Sequence, residues 1–292
     1  MANLKEIRTR ITSVNSTKQI TSAMKMVAAA KLKRATDAIT QMRPYAEKLQ
    51  GILSNLSAGA DLSEGVYTAE REVKKVVVVS ITSNRGLCGA FNNNILKATN
   101  LRVNELKEAG KEVVVFSIGK KAFDFFKKTE FKPTSFLTIE GSEVYKNLNF
   151  NTSSDLAKEL MDGYAAQQFD QVEIIYNSFK NAAVQEIKQE QMLPVLAPEN
   201  TEDTASTDYI FEPNKEEIVE NLIPKALKVQ LYKALLDSFA SEHGARMTAM
   251  HQATDNATSL LHDLKLQYNK ERQAAITTEI LEIVGGAEAL KG

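Results

Sequence analysis

Between about Leu222 and Val284, apolar or small residues recur at alternating steps of four and three: Leu236, Ala240, His243, Met247, Met250, Thr254, Ala257, Leu261, Leu264 and Tyr268. An average spacing of 3.5 residues keeps one narrow seam on one face of a helix, which is the pattern of a left-handed coiled coil. Such a helix needs a partner. No proline follows Pro224, so the pattern predicts a helix of ~60 residues, roughly 90 Å long at 1.5 Å per residue. That is far beyond an ordinary globular helix.

A second register of the same kind lies at the N-terminus. Leu4, Ile7, Ile11 and Val14 begin it, and Ala28, Leu32, Ala35, Ile39, Met42, Ala46, Leu49, Leu53 and Leu56 continue it. Between them the register falls on Lys18, Thr21 and Lys25, while the apolar residues move to Ile20, Met24 and Val27. The shift reads as a stutter at which the seam rotates, so that residues 18 to 27 face a different neighbour. The helix is expected from about Leu4 to Ser57, kinked rather than broken at Pro44, where a backbone hydrogen bond is lost. Two long helices at opposite ends of a chain pair antiparallel if a compact domain between them returns the chain.

The residues between Val73 and Pro198 read as that domain. KKVVVVSI (Lys74 to Ile81) is a short β-branched run between turn signals, the mark of a buried parallel strand. A helix is expected from about Asn92 to Ala109, a second strand at Glu112 to Ile118, and a short amphipathic helix at Lys120 to Lys128 with Phe123 and Phe126 inward. A helix from about Ser153 to Gln168 and a third strand at Gln171 to Asn177 follow. Val184 to Met192 alternates weakly and reads as an antiparallel edge strand. The expected fold is α/β: a long antiparallel coiled coil of the terminal helices plus a small Rossmann-like domain. The expected organisation is 1–58 N-terminal helix, 73–198 α/β domain and 209–290 C-terminal helix. Pro194 to Asp208, polar and acidic, reads as a loop or disordered linker.

Charge changes the picture locally. The chain carries 36 basic and 37 acidic residues over 292 positions. Residues 1 to 50 nevertheless hold ten Lys or Arg against three Asp or Glu, and residues 199 to 220 hold eight acids against Lys215 alone. A basic first helix points to an acidic partner surface, unless it is only a solvated face. The single cysteine, Cys88, permits no internal disulfide and fits a reducing compartment. The N-terminus has the character of neither a signal peptide nor a transit sequence. The longest strongly apolar run, Val76 to Ile81, is too short to span a bilayer, so membrane association is expected only through other proteins.

Little in the sequence invites catalysis. The loop Ser83-Asn84-Arg85-Gly86-Leu87-Cys88-Gly89 sits where nucleotide folds bind phosphate, after a first strand and before a helix. It lacks the third glycine of a dinucleotide fingerprint and the Gly-Lys-Ser/Thr of a P-loop, and reads as a tight turn with a helix cap. His243, His251 and His262 lie at spacings of 8 and 11 residues, unsuited to an i, i+4 metal pair, and no motif pairs them with Cys88. No catalytic group, cofactor or metal is expected. The remaining feature is Tyr268 to Val284, YNKERQAAITTEILEIV. Its two-stranded seam falters at Glu271 and Thr278, while Ala274, Ala275, Ile276, Ile280, Leu281, Ile283 and Val284 spread apolar surface around the helix. A helix apolar all round must be enclosed, and no segment of this chain is left to enclose it.

SEHGARMTAMHQATDNATSLL (Ser241 to Leu261), YNKERQAAITTEILEIVGGAEAL (Tyr268 to Leu290), ITSVNSTKQITSAMKMVAAAKL (Ile11 to Leu32) and SNRGLCGAFN (Ser83 to Asn92) resemble the signatures of the gamma subunit family of F-type ATP synthases. The resemblance spans effectively the whole chain and is weakest across residues 120 to 210. It implies a non-catalytic rotor. In that family the paired terminal helices form a shaft inside a ring of alpha and beta subunits, and the α/β domain is a foot that meets epsilon and the ring of c subunits. The motifs imply contacts with the alpha/beta ring for Met24 and Lys25, opposite beta, for Arg246, the arginine of ARMxAM, and for Arg272, Gln273 and Thr277, at the loops of alpha and beta. Glu271 stands where many members have alanine, a like charge near an acidic partner. Tyr209, Ile210, Phe211 and Glu212 match the part of the foot that meets the c-ring and epsilon.

The resemblance further implies no homo-oligomer, no nucleic acid, and a peripheral place on the cytoplasmic face of a bacterial plasma membrane, held only through the c-ring. Two other readings fit the residues less well. A nucleic-acid or cytoskeletal adaptor would interleave aromatic residues with the lysines, and residues 15 to 40 contain no Phe, Tyr or Trp. A nucleotide-dependent enzyme founders on the incomplete glycine loop.

Overall fold

The computed structural model describes residues 4–57, 65–68, 71–129, 131, 141–145, 147–195 and 215–289. In chain order its elements are α1 (Leu4–Ser57), β1 (Lys75–Ile81), α2 (Phe91–Glu108), β2 (Glu112–Ile118), α3 (Lys120–Phe126), α4 (Phe150–Ala165), β3 (Gln171–Phe179), β4 (Gln185–Leu193) and α5 (Lys215–Ala289). They form two compact units, Met1–Ala28 with Met247–Gly292, and Ala29–Arg246.

In the larger unit the four strands are ordered β2-β1-β3-β4. β1 runs parallel to both neighbours and β4 antiparallel to β3. Four consecutive valines occupy the central strand because both of its faces are covered. Val77 and Val79 point into a layer with Leu156 and Leu160 of α4 and with Leu227, Leu231 and Leu235 of α5. Val76 and Val78 point the other way, onto Ile95 and Val103 of α2 and Phe126 of α3. The same strand thus feeds two cores through its period of two.

Local chemistry sets the element ends. Asn149 accepts a hydrogen bond from the Thr152 N–H at 2.9 Å, an N-cap that starts α4 at Phe150, earlier than expected. Gln167, at φ +56°, closes the chain just beyond Ala165, before the expected end. α3 turns Ala122 and Phe126 inward, one turn apart, whereas Phe123 is exposed; the expectation for Phe123 fails because i and i+4, not i and i+3, face this sheet. At Gly119, with φ +96°, an added Cβ would lie 2.1 Å from the Thr82 carbonyl oxygen. Only glycine lets the turn after β2 pass so close to the end of β1.

α1 and α5 pack antiparallel in this unit: Ala35 and Ile39 meet Leu236 and Ala240, while Ile52, further along α1, lies in the layer that contains Ile223, further back along α5. Pro44 lies inside α1 without ending it. α5 likewise begins before Pro224 and continues through it, so the proline does not mark the helix start. Ile223 and Leu227 on either side are buried. Burial of such side chains at about 1.5–3 kcal/mol each offsets the roughly 3 kcal/mol that a helical proline costs.

In the smaller unit the seam of α5 is legible as burial. Met250, Ala257, Leu261 and Leu264 are enclosed, as are Ile7 and Ala28 of α1. The expected rotation at residues 18 to 27 does not occur. Thr21 stays inward, 8 % exposed, and accepts a hydrogen bond from the Thr254 hydroxyl at 2.8 Å. A threonine pair takes the place of an apolar layer, and the helix keeps its phase with a satisfied polar contact.

Candidate partner-contact surfaces

Because the seam is not rotated, the apolar residues beside it are left outside. Ile20, Met26 and Val27 are 60 %, 65 % and 57 % exposed, on the same turns as the basic residues Lys18 and Lys25. Met24 and Lys25 are half-buried. Sequence periodicity found the misplaced set but not Met26, which falls outside both registers.

The end of α5 is barer. Beyond Leu264 no described residue of α5 is buried. Ile276, Ile280, Leu281, Ile283 and Val284 are all between 47 % and 67 % exposed. Large apolar side chains concentrated like this mark an interaction surface. Arg272, Gln273 and Thr277 lie on the same stretch, exposed; the Thr277 hydroxyl donates back to the Gln273 carbonyl at 2.9 Å. The Arg272 and Gln273 side chains are exposed and have no hydrogen-bond partner among the described residues.

Arg246 is placed differently. It is only 8 % exposed, and its guanidinium donates to the Gly86 and Arg85 carbonyls and to Glu242 Oε1. The glycine loop is therefore braced from α5 through its carbonyl oxygens. Ser83 and Asn92 tie the loop from the other side: the Ser83 N–H donates to Asn92 Oδ1 at 3.0 Å and the Ser83 hydroxyl to the Arg85 carbonyl at 2.6 Å. Leu87 and Gly89 take positive φ. A phosphate cradle needs converging N–H groups; here carbonyls converge on an arginine, the arrangement of a structural turn. Burial raises the Glu242 carboxyl, against the pull of Arg246, Lys31 and Arg85. It also raises the Cys88 thiol, the opposite of an activated nucleophile. The i, i+4 spacing of Glu242 and Arg246 was visible in the sequence; that both turn inward was not.

Tyr209, Ile210, Phe211 and Glu212 lie outside the described residues. Among the described residues no group of three or more His, Cys, Asp or Glu is placed to hold a metal, and no helix is long and apolar enough to cross a membrane.

Terminal helices that pair antiparallel, an apolar helix end without cover among the described residues and a glycine loop braced by Arg246 define a subunit whose open surfaces are made for other chains. The similarities found are of that class. Residues 3–290 match the family described as ATP synthase. The chain is 62 % identical to the ATP synthase gamma chain of Flavobacterium psychrophilum and 45 % identical to that of Geobacter metallireducens, over the full length of both chains in each comparison. Among solved structures it resembles a chain of the Tetrahymena thermophila mitochondrial ATP synthase central stalk and c-ring, with TM-score 0.58 and 27 % identity over 80 % of this chain and 99 % of the other. A chain of the Euglena gracilis mitochondrial ATP synthase shares the fold, with TM-score 0.62 at 21 % identity over 98 % and 94 %. The chain belongs to the ATP synthase gamma chain family, the central-stalk rotor subunits of F-type ATP synthase.

Proposed function

We propose that this gamma chain is a non-catalytic axle that couples ion flow through a c-ring to ATP synthesis or hydrolysis in an alpha/beta ring. The observation that carries the reading is the bare apolar end of α5, Ile276 to Val284, which needs a sleeve that its own described residues do not supply. Burying each such side chain is worth about 1.5–3 kcal/mol. Nondirectional contact suits a bearing, because it has no strong bonds to break at each step.

In this reading segments 1–58 and 209–290 form the shaft and 73–198 the foot. Met24, Lys25, Arg272, Gln273 and Thr277 touch alpha and beta. Arg246 serves the same end by holding the glycine loop against α5. Tyr209, Ile210, Phe211 and Glu212 face the c-ring and epsilon. The subunit works singly, binds no nucleic acid, and sits on the cytoplasmic face of a bacterial plasma membrane through its partners. The relatives from Flavobacterium and Geobacter and the solved central-stalk and c-ring assemblies support this assignment.

Single-molecule rotation and ATP hydrolysis in a reconstituted complex test it. Arg272→Ala with Gln273→Ala is expected to weaken coupling while the chain stays folded, since a hydrogen bond to a charged group is worth about 1.5–3 kcal/mol, roughly tenfold or more in a stepwise rate. Normal assembly with unchanged speed and torque would remove these residues from the coupling contacts.

A further inference from the structure

Within the larger unit a cavity of about 210 Å³ opens between α1, α5 and the β3–β4 hairpin. Apolar side chains of α1 form one wall. The rest is charged: Arg43 from α1, Lys188 from β4, and Lys233 and Asp237 from α5, with Ser178 of β3 at the base. Three cations from three separate elements converge on one space. None of them forms an ion pair among the described residues. The neighbouring acids are committed elsewhere: Glu186 to Lys180, Glu190 to the Tyr176 hydroxyl at 2.7 Å.

Asp237 does not neutralise the three. It is 6 % exposed and receives only a long contact from the Ser178 hydroxyl at 3.4 Å. Its carboxyl is pushed up by burial, opposed by Lys233, Arg43 and Lys188, which places all three cations within electrostatic reach of one point. An excess of positive charge around a partly enclosed polar space is a site in want of an anion.

We infer that this cavity binds a small tetrahedral oxyanion, with inorganic phosphate the fitting species. Arg43, Lys188 and Lys233 supply the donors, and the Ser178 hydroxyl can turn from Asp237 to the ligand. The cavity falls below the ~300 Å³ at which pockets take drug-sized molecules, so its size suits a small ion better than a whole nucleotide. Bound there, the anion bridges α1, α5 and the edge strand, and raises the stability of this unit in proportion to its concentration.

The test is calorimetric titration of the full chain with inorganic phosphate at about pH 8, against sodium chloride of matched ionic strength. One saturable site per chain is expected. Arg43→Gln and Lys188→Gln should each weaken it by about tenfold or more, the worth of a charged hydrogen bond. Asp237→Asn, nearly isosteric, should tighten it several-fold by removing the negative charge that lines the cavity. That variant keeps the test decisive if a cation variant fails to fold. No saturable heat at millimolar phosphate, equal affinity in the Asp237→Asn chain, or tighter binding of ADP than of phosphate would each overturn the inference. The outcome is independent of the rotor reading, because the titration needs no partner subunit.

Discussion

Val76 to Val79 of β1 and the apolar residues Ile280, Leu281, Ile283 and Val284 of α5 are both apolar clusters, yet the first is wholly buried and the second more than half exposed at every residue. Each valine of β1 is covered by helices encoded in the same chain, so its burial contributes to folding. The apolar residues of the helix end have no cover among the described residues, so their free energy is realised only on assembly. Hydrophobicity by itself says that a residue will be enclosed; it does not say by which chain.

The largest effect should come from breaking a buried charge pair of the α/β unit. Glu173, 3 % exposed, is held by Arg102 through Nε at 2.9 Å and Nη2 at 2.7 Å, with Gln171 and Gln189 completing its shell. Arg102→Met strands that carboxylate and is expected to lower the unfolding free energy by about 3–5 kcal/mol, read from urea midpoints. A loss below ~1 kcal/mol would mean that the glutamines and water satisfy the carboxylate unaided.

Next in size is Ile174→Ala, in the same core and fully buried. Cavity formation should cost about 2–5 kcal/mol, seen in thermal melts of the isolated chain and leaving an assembled complex active but labile.

His243 offers a pH test. It is 5 % exposed, with neither ring nitrogen hydrogen-bonded, and lies edge-on to Phe239 at 4.4 Å. Burial, with Lys31 and Arg246 nearby, depresses its pKa from 6.5 to about 3. The unfolded chain therefore takes up a proton that the folded chain refuses. Stability is full above pH 6.5 and falls with pH between there and about 3, by up to about 1.4 kcal/mol per pH unit. His243→Leu should flatten that part of the pH profile; an unchanged slope would assign it to other groups.

The smallest folding effect belongs to the helix end. Ile280→Ala and Ile283→Ala should change the stability of the isolated chain by no more than ~0.5 kcal/mol, while the yield of reconstituted complex falls. A folding loss comparable to that of Ile174→Ala would erase the contrast between the two regions.

Much of this was legible in the residue pattern. The 3.5-residue period foretold the buried positions Leu236, Ala240, His243, Met250, Ala257, Leu261 and Leu264 of α5, though not Asp237, Ser238, Ser241, Glu242 and Arg246, which are buried beside that seam; β-branched runs foretold the inner strands, with β2 at Glu112–Ile118 as expected. Both periods are local consequences of one face meeting a core, so they survive without knowledge of the neighbour. Tertiary structure decided the exceptions. Thr21 stays in the seam because Thr254 stands opposite to bond it. Pro224 remains inside α5 because its neighbours are buried. Arg246 turns inward because the carbonyls of a loop about 160 positions earlier in the chain accept its protons, and Arg43, Lys188 and Lys233 gather at one cavity although nothing in their spacing relates them. A polar side chain takes its place from partners that are distant in sequence, and only the folded chain brings those partners within hydrogen-bonding or electrostatic reach.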